Sequence, residues 1–208
     1  MNINNIIVFD FETGGLKKDS EITQVAAVAI HPRRLEIIDE FNTEIKPLFP
    51  EKLDDEALKI TRKTREKLAL APHPENVMKD LKQFCDRYNL SKRPFTAPIA
   101  AGYNIDGFDM PILQRYAETY GFIDKSTEKQ TFFSTYMTLD LMKIVFWWTE
   151  NSDTLPNIKQ PTLVEAWLHE SADMAHDALY DVKASAKLII KFLKLQRYLY
   201  PKINFTGK

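Results

Sequence analysis

The sequence predicts an α/β protein, and three observations carry that expectation. Ile6-Ile7-Val8-Phe9 opens a β-branched and aromatic run that ends in two carboxylates and two glycines, Asp10-Phe11-Glu12-Thr13-Gly14-Gly15. Two more strand-like runs follow within the first 45 residues. Beyond them apolar residues recur mostly at helical intervals, interrupted by one short strand of small residues at Ile99-Ala100-Ala101-Gly102.

In order, Ile6 to Thr13 reads as a buried strand, and the apolar run Glu21 to Ile30 as its neighbour. His31-Pro32-Arg33-Arg34 is a turn, since proline removes a donor and fixes its own φ. A third strand runs through Leu35 to Ile38 or through Phe41 to Ile45, giving an antiparallel meander closed by Pro47 and Pro50. Leu53 to Leu70 takes helical spacing and holds the densest basic run, Arg62, Lys63, Arg65 and Lys67. That run reads first as a solvated helix face and second as a contact to a nucleic-acid backbone. A helix over about 75–88 follows, then the small-residue strand, a turn at 105–109 and a helix over 110–120 with Pro111 in its first turn. Thr131 to Met137 is β-like, Leu139 to Trp148 is an apolar helix containing Asp140, and Thr162 to His169 is a short helix. Of the adjacent Trp147 and Trp148, at most one is expected to face the core. The last long helix begins near Met174 and carries Leu179, Val182, Ala186, Ile189, Ile190, Leu193 and Leu199 on one side.

At 208 residues the chain suits a single domain, 1–208, with a sizeable core. A hydrophobic content of 44% with 27% charged residues excludes a disordered chain. A net charge of −1 excludes a protein that coats nucleic acid by bulk attraction, while leaving room for a local basic groove balanced by an acidic site. The single cysteine, Cys85, falls among Val77, Leu81, Phe84 and Tyr88 on an apolar helical face, where core filling is its expected role. No apolar run has the length of a membrane span and no secretory leader is recognisable, so a cytoplasmic protein without a membrane partner is expected.

The chemistry-bearing residues begin on the first strand. A period of two puts Asp10 and Glu12 on one face and Phe9 and Phe11 on the other. Two like charges about 7 Å apart on so apolar a strand repel each other and resist burial unless a cation or a proton joins them. Alone, the pair reads as a solvated strand end. Asp109 comes at a second strand-to-helix junction, and His176 and Asp181 near the start of the last helix. A separation of five places those two about 140° apart on a helix, so either His176 precedes the helix or the two flank a site from one rim.

Taken together, Asp10-Phe11-Glu12-Thr13-Gly14, Asn104 ahead of Phe108-Asp109, and His176 with Asp181 resemble the motifs of the DEDD exonuclease superfamily, histidine subgroup. The resemblance spans nearly the whole chain and includes Gln24 and Thr138-Leu139-Asp140. Ala175-His176-Asp177-Ala178-Leu179-Tyr180-Asp181-Val182 and Gly102-Tyr103-Asn104 look most like the catalytic domain of bacterial exonuclease I, with polymerase proofreading subunits and ribonuclease T as relatives. Asp106-Gly107 ahead of Phe108 departs from the tighter His-Asn form of the proofreading subunits. Exonuclease I has further domains after this one, so the resemblance does not extend to any processivity they confer.

That resemblance implies a ribonuclease H-like fold, a mixed five-stranded sheet flanked by helices. It implies 3′→5′ hydrolysis of single-stranded ends to nucleoside 5′-monophosphates, with DNA favoured over RNA. Its cofactors are two Mg²⁺ or Mn²⁺ ions, in keeping with an all-carboxylate donor set. Asp10 would bridge both ions, Glu12 and Asp181 would hold the one that activates water, Asp109 would support the other, and His176 would be the general base. Asp177 has no role beyond a helix cap. Substrate contacts are expected from the backbone near Thr13 and Gly14, from Asn104, from Leu16 as a wedge, and from the rings of Phe11, Tyr103 and Phe108, for each of which a core role competes. An exoribonuclease, or a proofreading subunit that works mainly within a polymerase complex, is the alternative. A homodimer or a polymerase or repair partner stays open, and exposed apolar residues around Tyr198, Leu199 and Tyr200 would favour a partner.

Overall fold

The computed structural model describes residues 4–15, 17 and 19–203. Five strands form one sheet in the order β3-β2-β1-β4-β5: β1 (Ile6–Thr13), β2 (Ile22–His31), β3 (Glu36–Glu44), β4 (Ile99–Gly102) and β5 (Thr138–Asp140). The first three form the expected antiparallel meander, while β1–β4 and β4–β5 pair in parallel, so the sheet is mixed. The third strand takes in both sequence candidates as one run with a register shift at Ala29/Ile30.

Alternation divides the core. Ile7, Phe9 and Phe11 of β1 face one layer, where they join Leu81, Phe84 and Cys85 of α3 (Pro74–Arg87) and Ile112, Leu113 and Tyr116 of α4 (Asp109–Tyr120). Ile6 and Val8 face the other, against Leu141 and Val145 of α5 (Leu141–Thr149) and Val182, Ala186 and Ile189 of α7 (Ala178–Leu199). Cys85 is fully buried in the first of these layers, and the apolar surroundings push its thiol well above the ordinary range.

Three expectations need correcting. The helix read over 53–70 is two short helices, α1 (Asp55–Ile60) and α2 (Arg65–Ala69), separated by a turn in which Arg62 has φ 57°. The stretch 131–137 forms no strand, because the buried Gln130 side chain accepts the amides of Phe132 and Phe133, giving them a partner without a ladder. The helix read from 162 is a short α6 (Gln160–Leu163) followed by a π-helical turn over Val164–Leu168, ended by His169 at φ 58°. Neither Trp147 nor Trp148 enters the core, at 74% and 55% exposure, within the expectation of at most one. No described helix is long and apolar enough to cross a membrane.

Candidate active site

Sheet alternation puts Asp10 and Glu12 on the α7 side of β1, as the pattern requires. The paired register of β1 with β4 ends at Val8–Ala101, and Phe11 lies beyond it. The Phe11 amide needs an acceptor, since a buried N–H without a partner costs about 1–3 kcal/mol. Asp109 supplies it: its Oδ1 accepts from Phe11 N at 2.9 Å across 98 residues. The carboxyl is 1% exposed, and Asp109 is the first residue of α4 without being its cap.

Asp140 does similar work one strand over. It caps α5 through Met142 N at 3.0 Å and accepts Asn104 N at 3.0 Å and Asp106 N at 3.3 Å. This pins the turn between β4 and α4, in which Asn104 has φ 57°. Sequence reading placed Asp140 inside a helix and gave it no such task.

The last two residues come from the start of α7. Asp177 is the N-cap, accepting Tyr180 N at 3.0 Å, as its cap reading anticipated. His176 lies before the helix at φ 70°, so the 140° helical separation does not apply. Its amide donates to Asp181 Oδ2 at 2.9 Å, while Gln160 Nε2 reaches Asp181 Oδ1 at 3.3 Å. Imidazole and carboxylate are thereby placed together, with His176 exposed at the rim and Asp181 half-buried.

Four carboxyls from β1, α4 and α7 feel one another. Burial drives Asp10 well above the carboxylate range, and the charges of Asp109, Glu12 and Asp181 push it further. Glu12 rises to about 7 through burial and Asp181, opposed by Lys63. Asp109 rises to about 8 through burial, although the Phe11 amide pulls against it. Asp181 reaches about 6, again through burial, with the amide and ring of His176 restraining it. Such a cluster must take up protons or cations. Its donors are hard oxygens, which suit Mg²⁺ or Mn²⁺. Among the described residues no three Asp, Glu, His or Cys side chains converge closely enough to grip an ion as they stand. Asp109 and Asp181 each spend an oxygen on a backbone amide, and the acids repel one another.

The expected substrate contacts fare unevenly. Phe11 is 3% exposed and packs edge-on against Phe9, so its ring offers no free face and belongs to the core. Phe108 and Tyr103 are partly buried against the two core layers, and the Tyr103 hydroxyl donates to the Ile158 carbonyl. Gly14 is engaged internally: its amide donates to Glu21 O at 2.8 Å and its carbonyl accepts Asp54 N at 2.7 Å. A Cβ at Gly14 would stand 2.2 Å from Leu53 Cδ2, so a larger residue there must displace the Leu53 side chain. The Thr13 hydroxyl donates to Gly15 O at 2.7 Å. Leu16 lies outside the described residues.

Sequence reasoning missed two contributions from the basic run. Arg62 donates to the Asp173 carbonyl at 2.7 Å and to Met174 Sδ at 3.4 Å, tying the α1–α2 turn to the segment that carries His176. Lys63 is buried at 8% exposure beside Glu12's side of the sheet. A charge run shows no direction in sequence; only the break after α1 turns Lys63 inward and sends the exposed Arg62 across to the segment before α7.

An α/β sheet with four coupled carboxyls from both ends of the chain and a histidine bonded to one of them defines a nuclease-like site. The family model described as an exonuclease, RNase_T, matches residues 7–189, and the chain belongs to that family. No curated protein matches it in sequence. Among solved structures it is similar to E. coli exonuclease I in complex with a dT13 oligonucleotide, at 20% identity and a TM-score of 0.74, covering 96% of this chain and 43% of that one. The zinc-bound E. coli exonuclease I–ssDNA complex gives 18% and 0.75, covering 96% and 42%. Exonuclease I of Methylocaldum szegediense gives 19% and 0.73, also covering 96% and 42%. The fold is that of the exonuclease I catalytic region, the ribonuclease H-like arrangement expected, and the chain spans less than half of each of those proteins.

Proposed function

We propose that this chain, acting as one domain over 1–208, is a 3′→5′ exonuclease that hydrolyses single-stranded DNA from the 3′ end and releases nucleoside 5′-monophosphates. The observation that carries this reading is the coupling of Asp10 to Asp109, Glu12 and Asp181, with His176 held against Asp181 by its own amide. In this reading Asp10, Glu12, Asp109 and Asp181 hold two divalent ions, Mg²⁺ or Mn²⁺. When bound, these supply the positive charge that a scissile phosphate, its attacking water and its leaving 3′ oxygen require. Asp10 and Glu12 are fixed by β1, and Asp109 by its bond to Phe11. Asp181, bonded here by the His176 amide and Gln160 Nε2, would supply its carboxylate to the ions. His176, exposed at the rim, takes the proton of the attacking water. Thr13, Asn104, Tyr103 and Phe108 line the approach of the terminal nucleotides. The oligonucleotide complexes of similar exonuclease I structures support DNA as the polymer.

A second reading, the same nuclease held within a larger assembly by a protein partner, is favoured by exposed aromatics: Trp147 and Trp148 on α5, and Tyr198 at 61% and Tyr200 at 72% by the end of α7. Digestion of matched 5′-labelled single-stranded DNA and RNA with Mg²⁺, Mn²⁺ or EDTA tests the proposal. The expected result is a metal-dependent ladder shortening from the 3′ end, faster on DNA. A faster RNA ladder would make the enzyme an exoribonuclease, and no digestion of either would sink free-standing nuclease activity and turn attention to the partner.

A further inference from the structure

Lysine is seldom buried, because its ammonium loses hydration, so the 8% exposure of Lys63 needs a reason. The backbone is shaped to bring it in. Arg62 adopts φ 57°, in the left-handed region that only glycine visits freely, and Lys63 N then bonds back to Leu58 O at 2.9 Å. The side chain runs to the sheet, where Nζ donates to Gln24 Oε1 at 2.6 Å. Gln24 is itself 3% exposed and is fixed from its other end by Nε2 donating to Asn42 Oδ1 at 2.9 Å. Gln24 is also the cross-strand partner of Glu12, at the point where the β1–β2 register shifts. The charged groups that act on the ammonium are Glu44, Glu12 and Asp177, opposed by Lys67. Burial lowers its proton affinity and the three acids restore part of it.

We infer that Lys63 is a resident cation of the carboxylate cluster, a fixed positive charge held by Gln24 beside Glu12 that offsets part of the acid repulsion before any metal enters. It is a positioning residue and takes no part in the chemistry. The inference rests on the metal-site reading above and deepens it. A divalent ion entering the cluster meets a site already partly neutralised and is repelled by the ammonium. It therefore binds more weakly, and leaves more readily, than the four carboxyls alone would dictate.

The test is calorimetric titration of Mg²⁺ into the full chain without nucleic acid, comparing wild type with Lys63→Met, Lys63→Gln and Lys63→Arg. Titrating at one pH in two buffers of different ionisation enthalpy measures the protons released on binding, so that their heat is subtracted. Circular dichroism confirms that each variant is folded, and Lys63→Gln retains an amide donor toward Gln24 should the methionine variant fail to fold. The two neutral variants are expected to bind Mg²⁺ at least about threefold more tightly, with Lys63→Arg close to wild type. Equal or weaker binding by the folded neutral variants overturns the inference and leaves the metal site standing. No Mg²⁺ binding by the wild type overturns both.

Discussion

The carboxylate floor and the His176 turn are built by opposite means. Asp10 and Glu12 sit on a strand paired on both sides over its first half, and Asp109 is locked to that strand by Phe11. The turn before α7 has two left-handed residues, His169 and His176, and is held by its own short bonds, by the Tyr180 hydroxyl on the Ser171 carbonyl, and by Arg62. The difference teaches that the acids are placed by the fold as a whole, at a cost in mutual repulsion, whereas His176, to which the proposal gives the proton, sits on a turn outside the sheet and can be lost without disturbing it.

The sharpest test of the contrast is Asp10→Asn. It removes the acid that couples to all the others, so cleavage should drop to the background seen in EDTA, while the metal-free protein at about pH 8 melts higher, by about 2–4 °C for each kcal/mol of repulsion relieved. His176→Ala comes next. Loss of a general base slows such chemistry by about 10²–10⁴-fold. Its metal-free melting temperature should stay at the wild-type value, and a shift as large as that of Asp10→Asn would break the comparison.

The pH dependence follows from the signs of the shifts. Glu12, Asp109 and Asp181 are raised from ordinary carboxyl values near about 4 to about 7, 8 and 6, so the native state holds more protons than the unfolded chain between those limits. Their contribution to stability is full below about pH 4 and is lost as pH rises through the native values. In EDTA the melting temperature should therefore fall by a few degrees or more from pH 5 to 8, and added Mg²⁺ should restore it most at pH 8. A flat profile in EDTA would show that the acids are not coupled. The smallest effect is expected of Arg62→Ala, about tenfold in kcat with Mg²⁺ affinity unchanged, because only the His176 turn loosens.

Much of this was legible in the sequence because it rests on periodicity. The β1–β3 meander, the helices α3, α4 and α7 and the shared face of Asp10 and Glu12 all follow from spacing. So did the cap at Asp177. What escaped reading depends on long-range side-chain bonds. Gln130 turns a β-like stretch into a loop by capturing two amides, and Lys63 is drawn out of a basic run by an amide on a different strand. Phe11 could be assigned to a ligand or to the core from sequence, and only packing against Phe9 assigns it to the core. The exposure of both tryptophans likewise has no local cause, since α5 buries Leu141 and Val145 instead.

The bond from Asp109 to Phe11, spanning 98 residues, also bears on when a nascent chain becomes complete. A ribosome delivers β1 first, α4 much later and α7 last, at roughly 5–20 residues per second. From the emergence of Asp109 until the start of α7 emerges, the growing polypeptide holds Asp10, Glu12 and Asp109 but neither His176 nor Asp181. Through those seconds the proposed site lacks both groups that the start of α7 contributes, so the proposed cleavage waits on the final helix.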